Sequence, residues 1–149
     1  MRWKDAPRGA PAGGYYVRRA KSPAEDGPQR ASYAVNSDEP AIDLVHLARQ
    51  TDGDAALEAE LLALFDRQSA NLLAQLAVNG AARAGRADIA HKLRGSALAV
   101  GAGRVASAAE TLETLLNSDR MSSQERERAL GGLAAAVAEA RGAIAGLLG

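Results

Sequence analysis

The chain has 149 residues, enough for one domain with a proper core and too few for two well-filled ones. Eighteen Lys and Arg balance eighteen Asp and Glu, so no global field recruits nucleic acid or an anionic membrane, and any partner is recognised locally. Without cysteine there is no disulfide framework, thiolate nucleophile or thiolate metal site, which suits a reducing compartment.

Apolar residues make up 47% of the chain but aromatics only 3%. Alanine and leucine dominate, and they pack well in helices and poorly as strand faces. The expected fold is therefore all-α. No run of 18 uninterrupted apolar residues occurs, and the opening "MRWKDAPRGAPAGG" has charges and prolines where a signal peptide needs an apolar stretch. The expectation is a soluble cytoplasmic protein.

Residues 1 to 36 hold four of the five prolines and show no sustained helical or strand period. They read as a flexible arm, with residues 37 to 149 as the helical domain. Up to Arg30 the arm carries seven basic residues against three acidic, a net +4. Two readings stand: a solubilising tail, or an arm whose Trp3, Tyr15 and Tyr16 act with its cations to touch a partner or nucleic acid.

In "SDEPAIDLVHLARQ", Ser37 and Asp38 are N-cap candidates, Pro40 sits near the first helical position, and Ile42, Val45 and Ala48 follow at helical spacing. A short first helix is expected. In the next helix Leu57, Leu61, Leu64, Phe65, Leu72 and Leu76 fall on one stripe, interrupted by Ser69. "VNGAARAGR" reads as a break. Ile89, Leu93, Ala97 and Val100 stripe a third helix, which Gly101 and Gly103 end or bend. Val105, Ala109, Leu112 and Leu116 mark a fourth helix. After "NSDRMSS" a fifth runs through Leu130, Leu133, Val137, Ala140, Ile144 and Leu148, weakened locally by Gly131 and Gly132. Ser122 and Glu125 form a capping box at its start. Short links between four long amphipathic helices predict an antiparallel four-helix bundle with the short extra helix over one end.

The stretch "IAHKLRGSALAVGAG" places one of only two histidines mid-helix. At about 100° per residue, His91 lies about 160° from both Ile89 and Leu93, away from the core stripe and towards water. Arg94 at i+3, Gly95 at i+4 and Leu98 at i+7 share its side. Spacing alone is compatible with a merely solvated histidine. It also suits an exposed nucleophile: the glycine removes bulk beside the ring, the arginine pairs with phosphoryl oxygens, and imidazole titrates near neutrality. His46 is the other histidine and has no glycine at i+4. Two histidines about 45 residues apart, with no cysteine, predict no metal site.

"AHKLRGSALAVGAGRVASAAETLE", from Ala90 to Glu113, resembles the signature of the histidine-containing phosphotransfer (HPt) domain family. That signature reads AH-x-L-K/R-G-S/A, then a glycine, then LE near the end of the next helix. Residues from about 41 to 118 share the likeness, including "DGDAALEAELLALFDRQSANLLAQL" as the family's second helix. The resemblance implies a bundle whose histidine accepts a phosphoryl group on Nε2 from one receiver-domain aspartate and passes it to another, a relay intermediate without its own kinase activity. By position, His91 is then the phosphoacceptor, Arg94 neutralises phosphoryl charge, Gly95 opens access, Ser96 packs or hydrogen-bonds beneath the ring, and Lys92 adds positive potential. Arginine at 94 replaces the more frequent lysine. Glu113 stands where some members have a glutamine that orients the imidazole, and the link before the third helix is shorter than usual.

The implied partners are response-regulator receiver domains and a hybrid sensor kinase, met by a monomer. The chain itself needs no cofactor, since Mg²⁺ belongs in the receiver's acidic pocket. Leu98, with Leu44 and Val45 of the short helix, supplies the apolar part of a docking face, although Leu98 suits the core equally. The rival function is a helical adaptor that recruits a signalling partner without being phosphorylated.

Overall fold

The computed structural model describes residues 39–78 and 82–149. The arm of residues 1 to 36 and the cap candidates Ser37 and Asp38 lie outside the described residues. Within them are five helices: α1 (Leu44–Thr51), α2 (Ala55–Ala77), α3 (Arg83–Val100), α4 (Gly103–Leu116) and α5 (Ser123–Leu148).

Each long helix buries a stripe at alternating three- and four-residue spacing. In α2 it is Leu62, Phe65, Ser69, Leu72 and Leu76; in α4 it is Val105, Ala109, Leu112 and Leu116. In α5 it is Leu133, Val137, Ala140 and Ile144, and in α3 it includes Ala90, Leu93, Ala97 and Val100. A heptad-like stripe on each of four helices is satisfied by side-by-side packing around one core. The helices pack in the cyclic order α2, α3, α4, α5, each against two neighbours. Short links make successive helices antiparallel, as the sequence led us to expect. By length and composition, α5 is apolar enough to cross a membrane, but the buried face of that helix is part of the bundle core.

Several expectations need correction. The first helix starts later than its cap candidates suggested, because Asp43 is the N-cap: its carboxylate accepts from the N–H groups of Val45 and His46, both at 3.1 Å. Pro40 therefore precedes the helix. That helix buries Leu47 and Thr51, while Val45 stands exposed. In α2 the expected stripe merged two rows. Leu57 and Leu64 are exposed and Leu62 is buried instead. Ser69 continues the buried row, fully enclosed, because its hydroxyl donates to the Asp66 carbonyl at 3.2 Å and so needs no outside partner.

The expected break before α3 is shorter than "VNGAARAGR", since the helix already runs from Arg83. Arg83 is held there by the Ser118 carbonyl at 3.2 Å and Asp119 Oδ1 at 3.3 Å. In α5, helix runs unbroken across Gly131 and Gly132, and Leu148 ends exposed. The Ser122–Glu125 capping box is present, with its two reciprocal bonds at 3.0 and 3.1 Å.

The turn between α3 and α4 fixes the end of the bundle that α1 covers. Gly101 takes the left-handed conformation, φ 77°, and the Ala102 N–H reaches back to the Ala97 carbonyl at 2.8 Å, closing α3 with a Schellman-type cap. The Gly101 carbonyl then accepts from the Asp43 N–H at 2.8 Å, tying the start of α1 to this turn. Gly103, by contrast, is the first residue of α4 and packs against the Glu39 carboxylate. Burial pushes the Glu39 carboxyl above its usual range and Asp43 adds to the effect, while Arg104 opposes it.

Two predictions test this end. A Cβ at Gly101 would lie 2.8 Å from the Asp43 carbonyl oxygen, on a backbone that disfavours side chains. Gly101→Ala should therefore cost about 1–3 kcal/mol in denaturant unfolding. The second concerns pH. A carboxyl whose pKa is raised by folding favours the fold below its unfolded value and loses that contribution as pH rises through the folded one. Glu39→Gln should thus match the wild type in melting temperature near pH 4 and exceed it increasingly towards pH 7.

Candidate functional site

His91 stands midway along α3, with 62% of its side chain exposed. The core stripe of the same helix points the other way, with Ala90, Leu93 and Ala97 fully enclosed. Exposure of the ring is thus a direct consequence of where the apolar residues fall. From α4, Glu113 reaches across so that its Oε2 lies 3.0 Å from His91 Nδ1. A carboxylate only accepts, so this contact selects the tautomer protonated at Nδ1 and leaves Nε2 without a partner among the described residues.

Glu113 is itself largely covered, its side chain 20% exposed, and its Oε1 is buried without a hydrogen bond. Arg94 supplies the nearby compensating charge: Nη1 lies 3.8 Å from Glu113 Oε1 and 3.9 Å from Glu110 Oε2. These are ion-pair distances without hydrogen bonds, so the guanidinium is attracted but not clamped. Lys92 is exposed beside the ring. Gly95, one turn beyond His91, is also exposed, and a Cβ built there meets nothing within 4 Å. The groove beside the imidazole is therefore open solvent.

Ser96 is half-buried, and its hydroxyl donates to Gln68 Oε1 on α2 at 3.1 Å. Five residues on from His91, it lies about 140° round the helix, so it does not sit beneath the ring. Its bond ties α3 to α2 while Glu113 meets α3 from α4. Leu98 is 52% exposed, which settles its two sequence readings in favour of the surface. Leu44 and Val45 are exposed too and line a shallow depression of about 570 Å³ with Ala48, Arg49, Asp52 and Gly53. His46 differs from His91 in the property that matters: its Nε2 is buried and has no hydrogen-bond partner. Sequence reasoning missed Gln68 and Glu110, because neither has a motif position and each is identified only by what faces it. Among the described residues no group of three or more His, Asp or Glu is placed to hold a metal ion.

These features define a helical bundle that presents one oriented imidazole on its surface, flanked by a carboxylate, an arginine and a gap. The family model described as Hpt domain matches residues 60–143, from within α2 to near the end of α5. The chain belongs to the Hpt domain family, which places it in two-component phosphorelay signalling. Members of the family interact generally with receiver domains and kinases. No curated protein and no solved structure matches the chain.

The tautomer is directly measurable. In Glu113→Ala the imidazole loses the acceptor at Nδ1, and the ¹⁵N shifts of His91 should change from one dominant neutral tautomer to a mixture, with the helical content retained.

Proposed function

We propose that this protein relays a phosphoryl group between receiver-domain aspartates by carrying it on Nε2 of His91. The observation that carries the reading is the asymmetry of the two histidines: His91 is exposed and bound only at Nδ1, whereas Nε2 of His46 is enclosed. In the accepting step the Nε2 lone pair attacks the phosphorus of an aspartyl phosphate. The P–N bond forms as the P–O bond to the aspartate breaks, and the aspartate leaves as a carboxylate. The reverse step onto a second receiver restores the imidazole.

What this chain contributes is position and charge compensation, which carry most of the catalysis in phosphoryl transfer. Glu113 orients the ring and stabilises the positive charge the ring gains on attack. Arg94, loosely held by Glu110 and Glu113, is free to turn towards phosphoryl oxygens, and as an arginine it can do so with two parallel N–H bonds. Lys92 raises the local potential. Ser96 holds the helix to α2 through Gln68 and acts on the ring only through the backbone. The receiver brings its own Mg²⁺, and Leu98, Leu44 and Val45 form the apolar contact on which it seats. A hybrid sensor kinase is the source of the phosphoryl group.

Incubation with phosphorylated receiver domains should give acid-labile, base-stable label on the wild type. None should form on His91→Gln, whose melting temperature should stay within a degree or two because the ring is exposed. Gly95→Leu should fold normally, since its side chain meets no neighbour, yet accept phosphoryl at least tenfold more slowly by filling the space beside the ring. Label that survives His91→Gln, or disappears in His46→Gln, overturns the assignment; a chain that never takes label from any receiver supports the adaptor reading.

A further inference from the structure

The end of the bundle opposite α1 holds a buried charge without a counter-charge. Arg86, in the first turns of α3, is 7% exposed. It makes one hydrogen bond: Nη2 donates to the Val78 carbonyl just past the end of α2. Its Nε is buried and has no partner. No carboxylate pairs with Arg86 among the described residues, although every other ion pair of the bundle brings an arginine or histidine to an acidic side chain. A guanidinium taken out of water without compensation is costly, and charges of this kind in protein interiors are paired as a rule.

Arg86 lines a small internal cavity with Leu76, Leu112, Leu116, Leu130 and Arg126. Its volume is about 10 Å³, room for a single water-sized occupant. Arg126, half-buried in the second turn of α5, also has no ion pair among the described residues. Two cations from different helices therefore share one cavity, and the rest of its wall is leucine.

The chemistry of that wall selects its occupant. Guanidinium groups only donate, and leucine side chains neither donate nor accept. A water there would find no side chain on the wall to accept its own two protons, whereas a halide needs only donors. The room is too small for a tetrahedral oxyanion. We propose that the cavity between Arg86 and Arg126 is a binding site for one chloride-sized monovalent anion, which completes the charge balance of this end of the bundle.

Thermal unfolding of the full chain at constant ionic strength tests this, with sodium chloride replacing sodium gluconate, whose anion is too large for the cavity. The melting temperature should rise by several degrees and saturate with chloride; bromide should act likewise and sulfate should not. Because Arg86→Gln removes a buried side chain and endangers the fold, the diagnostic variant is Arg126→Gln. It should fold and lose most of the chloride response. A flat response to chloride in the wild type, an equal response to sulfate, or an undiminished response in Arg126→Gln overturns the proposal.

Discussion

Close approach of α3 and α4 is the constraint from which the site follows. The buried faces of these two helices are rich in alanine: Ala87, Ala90 and Ala97 on α3 meet Ala106 and Ala109 on α4, with Ala102 in the turn between them. They are also the most extensively packed pair in the bundle. Small side chains bring two backbones together, and only at short range can a glutamate on one helix reach a histidine ring on the other. The 3.0 Å contact between His91 and Glu113 is thus a product of core composition as much as of the two residues themselves. A core of larger residues here would keep the fold class and lose the orientation.

The polar contacts differ in what they can do. The bidentate pair of Arg104 with Glu139, at 2.7 and 2.8 Å, and that of Arg141 with Asp66, at 2.8 Å, hold helices together at the surface, where an ion pair adds little stability. Arg94 is different because its distances to Glu110 and Glu113 are long, which leaves its donors unspent. A phosphoryl group arriving at Nε2 finds a cation that has not already committed its hydrogen bonds. The cost is the buried Oε1 of Glu113, left without a donor, and such unsatisfied groups concentrate where function constrains the packing.

The two ends of the bundle are closed by unlike means. At one, α1 and the residues before it are tied to the Gly101 turn by backbone bonds, and Glu39 lies against Gly103. At the other, leucines surround Arg86, and its one bond takes up a carbonyl beyond the end of α2. Chemistry on an exposed face needs both ends rigid, since the imidazole is only as well placed as the helix that carries it.

Local pattern alone determined the class of fold, the helix count, the capping box at Ser122, and the outward direction of His91. Each rests on the helical period or on contacts within a few residues, and such information is complete in one dimension. Glu113 was legible only through a family signature, because nothing in α4 by itself points to a partner 22 residues earlier. Tertiary structure decided the rest. In α2, Leu57, Leu61, Leu62 and Leu64 are equivalent in hydrophobicity, and only the positions of α3 and α5 determine that Leu62 turns inward while Leu57 and Leu64 face solvent. The same holds for the exposure of Leu98, for the pairing of Ser96 with Gln68, and for the isolation of Arg86. Burial and pairing are properties of neighbours brought from elsewhere in the chain, and a sequence records its own period without recording which helix will stand beside it.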